Sequence, residues 1–162
     1  MDRLDARILL ALDDDPDATA LALAQRLGIA RNTLHARLQR LRSSGALREQ
    51  SRRIDTAHLG RPLVAFVSVE LSQESGERAG MALCDVPEVV EAHHTTGDAD
   101  LLLKVVARDP ADLHRLNGVL IAVPGVVRVS TAVSLHELMP LRVRALLEHV
   151  AATGNVAGPN RP

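Results

Sequence analysis

Residues 19–45, TALALAQRLGIARNTLHARLQRLRSSG, decide how the N-terminal part of this chain folds. Leu21, Ala24 and Leu27 share one face of a helix from about Thr19 to Leu27, and Gly28 stops it as a left-handed C-cap residue does. A second helix starts near Ala30 and runs to Ser43 or Ser44. Leu34, Leu38 and Leu41 form its buried side, and Gly45 ends it. Upstream, Leu4, Ile8, Leu9 and Leu12 predict a further helix over Asp2 to Asp13, broken by the acidic run through Pro16 and Asp17. Downstream, Ala46 to Thr56 alternates loosely around the basic turn Ser51-Arg52-Arg53, which predicts a short two-stranded wing. The whole reads as a winged helix-turn-helix over residues 1–53.

The outer face of the third helix carries the chemistry. With the leucines turned inward at 100° per residue, the opposite arc holds Asn32, Thr33, His35, Ala36, Gln39, Arg40 and Ser43. Asn and Gln can pair bidentately with adenine and Arg with guanine, provided this helix lies in the major groove of double-stranded DNA. Arg31, Arg42, Arg52 and Arg53 flank the arc where phosphates would lie, and Arg37 belongs to the same DNA-binding set. From Arg31 to Arg53 there are seven arginines against the single acid Glu49, a net of +6 on a chain whose formal net charge is -1. A local basic stripe of this kind is an electrostatic footprint for phosphate. An ordinary three-helix bundle with a solvated polar face stands as the other reading of the same residues.

Beyond a linker at 54–62, punctuated by Gly60 and Pro62, the periodicity changes. Leu63 to Leu71 reads as a strand, Gln73 to Cys84 as a helix, and Val89 to Thr96 and Leu101 to Ala107 as strands. Pro110 to Ala122 reads as a helix with Asp109 as N-cap and Pro110 in its first turn, and Val126 to Leu138 as a last strand. Strand, helix, strand, strand, helix, strand is the ferredoxin-like βαββαβ order. The fold class is therefore α+β, with the second domain over 63–150, a terminal helix from about Leu141 to Val150, and a disordered tail at 151–162. The strands Leu63 to Leu71 and Val126 to Leu138 are apolar on more than one face, which calls for a homodimer. The loop Thr96-Gly97-Asp98-Ala99-Asp100 admits two readings. Asp98 and Asp100 can accept hydrogen bonds from an α-ammonium group, with Gly97 letting backbone approach and Thr96 serving a carboxylate. The same residues also make a plain hairpin turn.

Composition excludes several classes. Aromatics are 1% of the 162 residues, so the core is aliphatic and stacking platforms for single strands are ruled out. Cys84 is the lone cysteine, which forbids an internal disulfide or a thiolate metal cluster; it reads as a small core residue. His93 and His94 are strand neighbours on opposite faces and do not chelate one metal together. No metal and no cofactor is expected. There is no signal peptide and no membrane span, which makes the cytoplasm the default.

The order and spacing of these pieces resemble the Lrp/AsnC (leucine-responsive, feast/famine) family of transcriptional regulators. The matching residues are Leu4-Asp5, Ile8-Leu9, Leu23-Ala24, Leu27-Gly28-Ile29, Arg37-Leu38, Arg40-Leu41, Gly45, Ile54-Asp55 and Leu59-Gly60. In the second domain they are Pro87-Glu88-Val89, Thr96 to Asp100, Leu102 to Val105 and Pro124-Gly125-Val126. The resemblance implies a non-enzymatic regulator of transcription. It also implies dimers formed through the sheets and assembling to an octamer, and a small effector, commonly an amino acid, bound between dimers near Thr96, Gly97, Asp98 and Asp100. Two departures stand out: Ala30 replaces the usual Ser that caps the recognition helix, and Leu101 replaces an aromatic residue. A sirohaem-decarboxylase-like enzyme of the same fold, or an architectural DNA-binding protein without effector, are the competing functions. The decarboxylases tend to lose the basic recognition face that this chain keeps.

Overall fold

A computed structural model describes residues 1–48, 51 and 54–154. The chain divides into two compact units. One comprises Met1–Arg52 with Met139–Pro162, and the other Arg53–Leu138.

The first unit is helical: α1 (Arg3–Asp14), α2 (Ala20–Leu27), α3 (Arg31–Ser43) and a C-terminal helix, α6 (Arg144–Thr153). The start of α1 is fixed by a reciprocal capping box: the Asp5 N–H donates to Asp2 Oδ1 and the Asp2 N–H to Asp5 Oδ2, both at 2.9 Å. Thr19 caps α2 by accepting from the Ala22 N–H at 3.2 Å. Gly28 ends α2 at φ 68°, a left-handed conformation that costs a residue with a Cβ and costs glycine little. The apolar faces close on one core of Ile8, Leu9, Leu23, Leu27, Leu34, Leu38 and Leu41, with Leu47 and Leu147 packed against it.

The terminal helix departs from expectation in both register and partner. It begins at Arg144 rather than Leu141, and it belongs with the helix-turn-helix instead of the ferredoxin-like domain. Its apolar residues Leu147 and Val150 are turned inward, and Arg144 Nη1 donates to Asp13 at 3.1 Å and Asp14 at 2.8 Å near the end of α1. Of the wing expected over Ala46 to Thr56, residues 49, 50, 52 and 53, the basic pair Arg52 and Arg53 among them, lie outside the described residues; those described between 46 and 56 form no strand. The expected linker contains a short 3-10 turn, Thr56–Leu59, capped by Asp55 Oδ1 accepting from the Ala57 N–H at 2.9 Å.

The second unit has the expected βαββαβ order: β1 (Leu63–Leu71), α4 (Gly76–Cys84), β2 (Val89–His94), β3 (Leu101–Ala107), α5 (Pro110–Ile121) and β4 (Val126–Val133). The strands form one antiparallel sheet in the order β2-β3-β1-β4. Ala65, Val67 and Val69 of β1 and Leu101, Leu103, Val105 and Ala107 of β3 bury against Leu83, Leu113, Leu116 and Leu120 of the two helices. The register places Phe66 beside Lys104 and Ala132 on the opposite face, where no helix of this unit lies and Phe66 is 41% exposed. Two strands stop earlier than expected, β2 short of Thr96 and β4 short of Leu138. β4 ends at Val133, beyond which only the Ser134 N–H bonds to β1, at the Val64 carbonyl (2.9 Å); Leu135 is then 97% exposed. β2 ends at His94, opposite the first residue of β3. The β2 ladder ends where its partner β3 begins, whereas β4 leaves β1 two residues before β1 itself begins at Leu63. Cys84 closes α4 on the surface and is exposed, not the core residue expected.

Candidate nucleic-acid interface and effector loop

The third helix presents the predicted arc to solvent. Arg31, Asn32, Thr33, His35, Ala36, Gln39, Arg40 and Arg42 are exposed, while Leu34, Leu38 and Leu41 are buried behind them. The helix starts at Ala30 with no side-chain cap, as its missing hydroxyl predicts. The N–H groups of its first turn are thus left for another acceptor.

Two arginines are not where a free basic stripe would have them. The Arg37 side chain is only 27% exposed; its Nη1 donates to Asp2 Oδ2 and, at 3.0 Å, to Asp5 Oδ1. Arg40 Nη2 donates to both oxygens of Asp5 at 2.7 Å, although 56% of the Arg40 side chain remains exposed. Asp5 itself is 1% exposed. The hydrogen bond from Arg37 is the main reason that the Asp2 carboxyl is held down at about 2, and Asp2 in turn raises Arg37. The footprint of Arg31 to Arg53 is therefore smaller than its formal +6, because two of its cations already have carboxylates. Asp2 and Asp5 lie more than 30 residues upstream, and only the adjacency of Leu4 and Asp5 in the family pattern marked one of them.

In the second unit, Thr96, Gly97, Asp98 and Asp100 sit together on the exposed loop that joins β2 to β3. Gly97 has φ 123°, the positive value foreseen for it. Asp100 is partly committed to the fold: its Oδ2 accepts from the Leu71 N–H at 2.7 Å and its own N–H donates to the Val69 carbonyl at 3.0 Å. The loop is closed by Thr95, whose hydroxyl donates to the Ala99 carbonyl at 2.8 Å, a residue that sequence reasoning missed. Asp98 and Thr96 keep their side chains in solvent. The geometry is that of a hairpin turn with one carboxylate anchoring it and one presented. A separate hollow of about 130 Å³ lies between the 3-10 turn and the start of β2, lined by Leu59, Arg61, Glu88 and Val90 among others. The loop does not line it.

No cluster of three metal-ligating side chains occurs among the described residues, and no described helix is long and apolar enough to cross a membrane.

Comparison with known proteins agrees with this geometry. Residues 1–48 match a family model for winged helix-turn-helix DNA-binding, and residues 64–143 match one for the Lrp/AsnC ligand binding domain. The chain is 33% identical to the Bkd operon transcriptional regulator of Pseudomonas aeruginosa, over 86% of this chain and 94% of that one. It is 36% identical to the HTH-type transcriptional regulator AldR of Mycolicibacterium smegmatis, over 71% of this chain and 69% of that one. Among solved structures, an AsnC family transcriptional regulator from Agrobacterium tumefaciens superposes with a TM-score of 0.76 at 28% identity, covering 90% of this chain and 99% of that one. The chain belongs to the Lrp/AsnC family of DNA-binding transcriptional regulators.

Proposed function

We propose that this protein is a sequence-specific regulator that reads DNA with the outer arc of α3 and changes its assembly and DNA affinity when a small effector, an amino acid, binds the second unit. The observation that carries the reading is the exposed set Asn32, Thr33, His35, Ala36 and Gln39 on one face of α3, flanked by Arg31 and Arg42. The two amide side chains, Asn32 and Gln39, lie about two helical turns apart on one face and suit adenine edges in a major groove. The sheet face bearing Phe66 suits a two-fold partner, and a dimer places two recognition helices on half-sites about 34 Å apart; dimers then assemble to an octamer. The role is regulatory and non-catalytic, and a chromosomal target implies cytoplasmic residence.

The test starts from duplexes selected out of a random pool by the purified protein. Asn32→Ala and Gln39→Ala should each lower discrimination at one base pair by about 1–3 kcal/mol. Wild-type discrimination in both variants would mean that α3 does not read bases. For the effector, the common amino acids are screened by thermal shift and then by DNA affinity. Asp98→Ala should remove the response of the responding amino acid and leave the affinity of the free protein intact. A response unchanged in Asp98→Ala, or no response to any amino acid, would leave an architectural DNA-binding role in its place.

A further inference from the structure

The pairing of Asp2 and Asp5 with Arg37 and Arg40 bears on how the protein tells its own site from other DNA, an inference that rests on α3 being the reading helix. Non-specific DNA offers mainly phosphates, and binding to it is almost wholly electrostatic. Every mobile arginine on the recognition helix therefore strengthens binding everywhere. Here two arginines in the middle of that helix are withdrawn from this pool. Arg40 Nη2 faces both oxygens of Asp5 at 2.7 Å, and Arg37 bridges Asp5 and Asp2. The grip is asymmetric in a useful way. Asp5 is 1% exposed, so it cannot recover hydration if its arginines leave, and an unpaired buried carboxylate is strongly unfavourable. A phosphate must then outcompete a desolvated carboxylate already in contact. Asp2 is 42% exposed and also caps α1, so it is the weaker holder.

We propose that Asp5, aided by Asp2, is a positioning residue for DNA specificity: it holds Arg37 and Arg40 on α1, lowers affinity for random DNA, and leaves discrimination to Asn32 and Gln39. At a specific site the base contacts fix the register of the helix, and a released arginine gains only where a phosphate happens to lie within reach. On random DNA the register is free, and a released arginine can always find one. Freeing these cations therefore favours random DNA more than the specific site.

The experiment uses the full chain, a selected duplex and a random duplex, titrated between 50 and 200 mM salt. Asp5→Asn should tighten binding to the random duplex. It should also steepen the slope of log affinity against log salt by about 0.9 for each arginine that finds a phosphate, roughly a further threefold loss across that salt range. The ratio of specific to random affinity should fall by a similar factor. Asp2→Asn keeps a capping side chain and leaves Arg37 on Asp5 alone, so if Asp5→Asn does not fold, a smaller steepening of the slope in Asp2→Asn supports the proposal and a wild-type slope overturns it for Arg37. Adding Arg40→Gln to Asp5→Asn should restore part of the wild-type slope. If the folded variants melt lower but keep the wild-type slope and ratio, the ion pairs only dock α3 on α1 and the proposal is overturned. If Arg40→Gln leaves the Asp5→Asn slope unchanged, Arg40 is not a held cation and that part of the proposal is overturned. A wild-type protein that binds both duplexes equally would instead refute the reading helix on which the proposal stands.

Discussion

At the scale of single residues, the buried acids of this protein are the places where its folding depends on charge. Asp112, at the start of α5, is nearly inaccessible. It accepts from the Arg108 N–H at 3.0 Å, from Arg108 Nη2 at 3.1 Å and from Arg115 Nε at 2.9 Å. Its own N–H donates to the N-cap Asp109 at 2.8 Å. The Arg108 side chain, then the Arg108 backbone, then Arg115 pull its carboxyl well below the ordinary carboxylate value of 3.8. A carboxyl depressed in the folded state contributes its full stabilisation above its unfolded value and loses it progressively as pH falls from that value towards the depressed one. Asp112→Asn should therefore melt below wild type at neutral pH, and the gap should narrow once pH drops under 3.8. Melting curves from pH 7 to pH 3 check this; a gap that stays constant would remove the charge from the explanation.

At the scale of elements, α6 shows packing deciding what propensity leaves open. Its charged contacts to Asp13 and Asp14 are on the surface, where ion pairs contribute little because solvent screens them. Its apolar side is different: Val150 is 9% exposed and Leu147 packs on the helix-turn-helix core. Trimming Val150 to Ala removes roughly two methyl-sized groups from this contact, on the order of 1–2 kcal/mol. Val150→Ala should lower the denaturation midpoint clearly, and Arg144→Ala should lower it much less. The reverse ranking in urea titrations would make the docking of α6 electrostatic.

At the scale of the whole molecule, the sheet of the second unit has one face under α4 and α5 and one without a helix of its own unit. Phe66, the only Phe in the chain, lies on that second face beside Lys104 and Ala132. A large apolar residue on a central strand, on a sheet face that carries no helix of its own unit, suits an interface between copies, which for a stable dimer buries about 800 Å² per partner. Wild-type protein should sediment as a dimer or larger. Phe66→Glu, which would place a carboxylate on that face, should sediment as monomer with its melting curve still cooperative. A monomeric wild type, or a Phe66→Glu variant that stays assembled, would remove this face from the assembly.

Much of this fold follows from the sequence, because what specifies it is local. Leu34, Leu38 and Leu41 share one side of a helix whatever else happens, Gly28 is free to turn left-handed, and Asp109 can cap only the helix that follows it. The order of apolar segments from Leu63 onward determines the βαββαβ arrangement for the same reason: a period of two or of 3.6 is visible within a dozen residues. The exposed arc of α3 and the turn at Gly97 were legible on those grounds. What only the tertiary structure decided lies in contacts between distant residues. Arg37 and Arg40 look like free cations until Asp2 and Asp5, 32 to 35 residues away, are brought against them. Asp100 looks like a ligand acceptor until the Leu71 N–H, 29 residues upstream, claims one of its oxygens. The segment after Val133 reads as a continuation of the last strand, yet pairing with β1 stops at Ala65↔Val133 apart from the single bond from the Ser134 N–H to the Val64 carbonyl. Periodicity records which side of an element is apolar, but it carries no record of which partner that side or its charges will meet, since the meeting depends on how chain segments far apart in sequence come together.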